Sequence, residues 1–141
     1  MDDDIPMEPT VLVVDDEEVL RRYVARVLAD EGYRVFVAVD GLGALALFDI
    51  GAPPIDLVIT DVLMPGMDGV ELARHLAVRA PAPLLLFVTG GHGLSDLPGP
   101  VLWKPFLADD LRARVRGLLE AKTARFARRS AQPGLTCAGL Q

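Results

Sequence analysis

Four short apolar runs, each stopping on polar residues suited to one kind of site, constrain this chain more than any other feature. Val11-Leu12-Val13-Val14 ends on Asp15 and Asp16, and Leu57-Val58-Ile59-Thr60 ends on Asp61. Leu84 to Val88 ends on Thr89, and Val101-Leu102-Trp103 ends on Lys104 and Pro105. Runs this short and this apolar read as strands buried on both faces, the signature of a parallel sheet. In such a sheet every carboxyl end opens on the same edge, where open α/β folds bind their ligands. An acidic pair, a lone aspartate, a hydroxyl and a lysine then converge.

The segments between the runs support that architecture. Asp16-Glu17-Glu18 is placed to cap a helix whose apolar positions are Val19, Leu20, Tyr23, Val24, Val27 and Leu28, and Gly32 stops it. Tyr33 to Val39 is β-rich, and Gly41 to Phe48 is an Ala/Leu-rich short helix. Pro53-Pro54 turns the chain into the next strand, and residues 62–69 form a loop holding two glycines and a proline. Helices follow from about Val70 to Val78 and from about Ala108 to Ala121, the second continuing towards Arg129. Strands alternating with helices predict an α/β, doubly wound, five-stranded parallel sheet covered on both faces.

At 141 residues the chain is about one domain. Hydrophobic residues make up 51%, yet no run approaches the roughly 20 apolar residues that span a bilayer, so the surplus belongs in a core. Met1-Asp2-Asp3-Asp4 lacks the basic and apolar regions of a secretion signal, which makes the cytoplasm the expected location. The lone Cys137 has no partner for an internal disulfide and is read as chemically idle. Net charge is −6, but seven of the 14 basic residues fall between Arg112 and Arg129, opposed there only by Glu120. A solvated helix face is the simplest reading of that stretch; attraction to nucleic acid, anionic lipid or an acidic protein face is the other.

Singly, each polar strand end has an ordinary explanation: Asp15 and Asp16 as helix caps, Asp61 as a turn residue. Jointly they imply chemistry. Gathering three aspartates is repulsive unless a cation intervenes. Mg²⁺ suits oxygen ligands and keeps positions for water and phosphate oxygens. With charge drawn from an incoming phosphoryl group, an aspartate can act as nucleophile and form an acyl phosphate. Lys104 would neutralise the spreading charge, and the Thr89 hydroxyl would donate to the phosphoryl oxygens.

On Val13-Val14-Asp15-Asp16-Glu17, Thr60-Asp61-Val62-Leu63-Met64-Pro65-Gly66-Met67-Asp68-Gly69, Val88-Thr89-Gly90 and Lys104-Pro105-Phe106, the chain resembles the receiver domains of two-component response regulators over about residues 10–121. The resemblance implies a flavodoxin-like strand order of 2-1-3-4-5. It further implies that Asp61 accepts a phosphoryl group from a phosphohistidine on a partner kinase. Mg²⁺ would be held directly by Asp16 and Asp61, partly through water by Asp15, and by the backbone carbonyl of Leu63. Lys104 would pair with the phosphoryl group, and a cis bond to Pro105 would fix its approach.

Departures from the pattern are specific. Fourteen residues, with four glycines and two prolines, separate Thr89 from Lys104, so the fourth helix is expected to be reduced or missing. Val101 stands where many receivers place a Tyr or Phe that reports phosphorylation. Strand alternation puts Trp103 opposite Lys104, for packing or, alternatively, partner contact. Phe87-Val88-Thr89-Gly90 is similar to the Phe-Ala-Thr-Gly string of some single-domain receivers. His92 is read as a solvent-exposed loop residue. Leu63 and Gly91 offer nothing to orient a water against the acyl phosphate, which predicts slow self-dephosphorylation.

The leading expectation is a stand-alone phosphoacceptor, not an enzyme acting on other substrates. An acidic lead at residues 1–9, a receiver at 10–121 and a basic, then flexible extension at 122–141 make up the layout. Expected partners are a histidine kinase or phosphotransfer protein, a downstream protein and, as an open option, a second copy; membrane and nucleic acid are not expected. The alternative is a small Mg²⁺-dependent phosphatase or phosphotransferase using an aspartyl-phosphate intermediate. Such enzymes usually want an aspartate two residues after the nucleophile, where this chain has Leu63.

Overall fold

The computed structural model describes residues 8–50, 54–91 and 96–130, with side chains described through Ala124. Five strands, β1 (Thr10–Val14), β2 (Arg34–Ala38), β3 (Leu57–Thr60), β4 (Leu84–Thr89) and β5 (Val101–Trp103), form one sheet in the order β2-β1-β3-β4-β5. All neighbours are parallel, with Val11 in register with both Val35 and Leu57, Leu57 with Leu84, and Phe87 with Val101. The doubly wound arrangement expected from the sequence is therefore present. Strands β1 and β3 are buried along their whole length, because each has a strand on either side and helices above and below.

Alternation along the strands divides the core in two. Val11, Val13, Leu57, Ile59, Leu86, Val88 and Leu102 face α1 (Glu18–Asp30) and α4 (Ala108–Ser130), meeting Val24, Leu28, Leu111, Val115 and Leu119. Leu12, Val14 and Val58 face α2 (Gly41–Asp49) and α3 (Gly69–Ala77), meeting Ala44, Leu72 and Leu76. Helix α1 ends where the sequence placed its stop: Gly32 takes φ 97° and, with Tyr33, bonds back to the last turn.

Among the described residues there are four helices, and none lies between Thr89 and Val101. Leu97 packs against the cluster of Val62, Ala73 and the fully buried Phe87, and a Cβ added at Gly99 would come to 3.4 Å from the same ring. That face of the sheet is thus covered in part by irregular chain. Three local expectations are corrected. Strand β2 starts at Arg34 rather than Tyr33, whose N–H is already engaged by Leu28 at the end of α1. Glu17 occupies the cap position of α1 without a side-chain hydrogen bond, so the acidic run is not a capping device. Trp103 is half-exposed instead of packed, on the last residue of an edge strand.

The described basic residues of α4 lie on a solvated face, as expected, with Arg114 and Arg116 exposed, and several of them also serve the domain itself. Arg112 and Arg116 both pair with Glu31, Lys122 pairs with Asp56, and Arg114 donates to the Val101 carbonyl. Helix α4 runs without interruption through Ala121 to Ser130. Expectations for His92, Cys137, the first seven residues and the tail from residue 131 lie outside the described residues. Among the described residues, no helix is long and apolar enough to cross a membrane.

Candidate functional site

The sheet ladder itself aligns the polar residues. Asp61 donates its N–H to the Val14 carbonyl, Asp15 donates to Ala38, and Lys104 donates to Thr89, so each is the first residue beyond a paired strand. Asp15, Asp16 and Asp61 consequently present carboxylate oxygens that all lie within 4.8 Å of one another. Asp15 is buried, Asp61 is partly buried and Asp16 is exposed.

Each oxygen of Asp61 has a distinct environment. Oδ1 accepts from the Val62 N–H at 2.6 Å and the Leu63 N–H at 3.3 Å. Oδ2 faces the Lys104 ammonium at 3.0 Å, and the same ammonium lies 3.8 Å from Asp15 Oδ2. Asp15 Oδ1 accepts from the Glu17 N–H at 2.9 Å. Burial pushes the Asp15 carboxyl above its ordinary range, opposed by that amide and by Lys104 and reinforced by Asp61 and Asp16. A single lysine shared by carboxylates leaves the cluster short of positive charge. Three hard oxygen donors within reach of one centre fit a small dication such as Mg²⁺, which would supply that charge.

The surrounding loops hold these groups in place. Thr89 is buried, and its Oγ accepts from the Gly91 N–H at 3.2 Å. At Gly90 an added Cβ would approach the Lys104 Cβ to 3.2 Å, so the missing side chain makes room for the lysine stem. At Gly69 it would collide with the Asp61 carbonyl, while the Gly69 N–H bonds the Val62 carbonyl at 2.8 Å. Asp68 caps α3 by accepting from Glu71 N–H. These supporting roles of Asp68, Gly69 and Gly90 were not assigned from the sequence; the Asp-Gly pair before an apolar-periodic segment was the available signal for the first two. The Lys104–Pro105 peptide is cis, and so is Ala80–Pro81. Leu63 follows Asp61 by two residues, its side chain exposed.

Comparisons with known proteins place this geometry. The family described as "Response regulator receiver domain" matches residues 11–98. Sensory transduction protein RegX3 of Mycobacterium tuberculosis (strain ATCC 25618 / H37Rv) is 34% identical over 116 residues, covering 78% of this chain and 50% of that protein. Response regulator MprA of Mycobacterium sp. (strain KMS) is 36% identical over 120 residues, covering 80% and 51%. The chain spans about half the length of these curated relatives. Among solved structures, the signal receiver domain of an HD domain-containing protein from Pseudomonas fluorescens Pf-5 superposes with a TM-score of 0.76 at 26% identity, covering 84% of this chain and 99% of that one. The receiver domain of the hybrid histidine kinase CckA gives 0.68 at 34% identity, covering 77% and 96%.

Proposed function

Because this chain belongs to the response regulator receiver domain family, we propose that it accepts a phosphoryl group on Asp61 from a phosphohistidine of a histidine kinase or phosphotransfer protein, and passes the signal on through protein contacts. The carrying observation is the meeting of Asp15, Asp16, Asp61 and Lys104 at one sheet edge. The oxygen left free by the backbone, Asp61 Oδ2, is the nucleophile. It attacks phosphorus as the P–N bond to the donor imidazole breaks, and the bonding electrons leave with the imidazole nitrogen. Lys104 follows the charge from Oδ2 onto the phosphoryl oxygens, and the Thr89 hydroxyl donates to another.

Asp15, Asp16, Asp61 and the Leu63 carbonyl are assigned to Mg²⁺, which when bound neutralises charge on the transferring group. With Leu63 two residues after Asp61, that position does not supply the acid/base that turnover by a phosphatase would need. Operation in the cytoplasm belongs to the same proposal. Incubation of the protein with Mg²⁺ and acetyl phosphate, or with a phosphorylated kinase, should attach one phosphoryl group that hydroxylamine removes. Asp61→Asn should abolish that incorporation, and incorporation undiminished in the variant would overturn the assignment.

A further inference from the structure

Arg21 closes the first turn of α1, and its guanidinium reaches back to the end of β1. Its NH1 group donates to the Asp15 carbonyl at 2.8 Å in a partly buried setting. That carbonyl lies just beyond the last residue of β1, past the strand's paired length. Among the described residues Arg21 forms no ion pair, although three carboxylates gather nearby. The adjacent Arg22 behaves differently, pairing with Glu18 on an exposed helix surface.

The Arg21 bond closes a ring around the acidic turn. Asp15 is gripped three times: its N–H by Ala38, its Oδ1 by the Glu17 N–H, and its carbonyl by Arg21. Asp16 sits inside that ring and is exposed, without structural contacts of its own among the hydrogen bonds that define the turn. A guanidinium bonded to the carbonyl also places positive charge behind the carboxylates without occupying their oxygens. We propose that Arg21 is a positioning residue for the divalent cation, fixing through the Asp15 carbonyl the turn that presents Asp15 and Asp16. This rests on the assignment of the acidic cluster to Mg²⁺ made above.

Residues that orient metal ligands without touching the metal are worth about tenfold or more in affinity. Calorimetric Mg²⁺ titration of the wild type, Arg21→Met, Arg21→Lys and Arg22→Met should therefore show about a tenfold loss for Arg21→Met. Arg21→Lys, which keeps a donor and the charge, should lose less, and Arg22→Met should match the wild type. Unfolding in urea with chelator, run in parallel, reports the fold separately from the site; if Arg21→Met fails to fold, Arg21→Lys against Arg22→Met carries the comparison. Unchanged Mg²⁺ affinity at position 21, or an equal loss at position 22, overturns the inference and leaves the phosphoacceptor assignment standing. A wild type that binds no Mg²⁺ overturns both.

Discussion

The Lys104 ammonium lies 3.0 Å from Asp61 Oδ2, beside the oxygen that the proposed reaction phosphorylates. It is also 3.8 Å from Asp15, and its side chain is about three-quarters shielded from solvent. Removing it takes away the cation that both carboxylates face. Lys104→Met should cost about 1–2 kcal/mol in chelator, below the range for a fully buried pair because the site remains open to water. Added Mg²⁺ should recover part of that loss. Urea unfolding with and without the ion measures both; a loss identical in the two conditions would show that Lys104 does not balance the cluster.

Asp15 carries the opposite cost. Its carboxyl titrates above the ordinary value of 3.8, chiefly because it is buried. A folded-state pKa above the unfolded one means that this group's own contribution to stability is largest below the unfolded value and is lost as pH rises through the folded one. Above the folded value and without metal, that contribution is gone. Asp15→Asn keeps an acceptor for the Glu17 amide and should raise stability by about 1 kcal/mol, or about 4 °C in melting temperature, at pH 7 in chelator. The gain should vanish near pH 4, and Mg²⁺ should stabilise the variant less than the wild type. Thermal melts across that pH range decide it.

The strands were legible because each is a run of apolar residues bounded by polar ones, and a strand buried on both faces has no other way to look. The acidic cluster was legible for a related reason: strand ends in a parallel sheet share an edge, so order along the chain becomes proximity in space. What the sequence concealed were pairings made across the fold. Nothing local to Glu31 signals that Arg112 and Arg116 will meet it, and nothing local to Asp56 signals that it binds both the Thr10 N–H and Lys122. Periodicity marked Trp103 only as a strand residue, and its exposure follows from its place at the end of an edge strand. The Arg21 contact was invisible for the same reason, since a helix side chain bonding a preceding carbonyl leaves no pattern.

Gly69 joins the two halves of the site's floor. An added Cβ would run into the Asp61 carbonyl and come within 3.0 Å of Val62 Cα, both backbone atoms that move only with the loop. Gly69→Ala should destabilise the domain by about 2–3 kcal/mol, in line with overpacking against unyielding neighbours. Because the displaced atoms belong to Asp61, phosphoryl uptake from acetyl phosphate should fall further than the fraction of folded protein does. Gly117→Ala is the contrast: nothing lies within 4 Å of its added Cβ, and it should stabilise α4 by about 1 kcal/mol with uptake unchanged. Uptake that tracks the folded fraction in Gly69→Ala would confine that glycine to a structural role.

The lifetime of the acyl phosphate follows from what borders Asp61. Hydrolysis requires a water held in line with the P–O bond, and a side chain able to bond that water lowers the barrier by prepaying its ordering. The Leu63 side chain, exposed beside Asp61, has no polar atom, and Gly91 spends its N–H on the Thr89 hydroxyl. Neither can orient a nucleophile. The phosphorylated protein should therefore decay over many minutes or longer after the donor is removed. Leu63→Asn, which adds a donor and an acceptor at an exposed position, should quicken decay by about tenfold, equivalent to about 1.4 kcal/mol of barrier. Decay of the wild type within seconds, or a Leu63→Asn rate equal to it, would mean that the water is held by groups other than these two side chains.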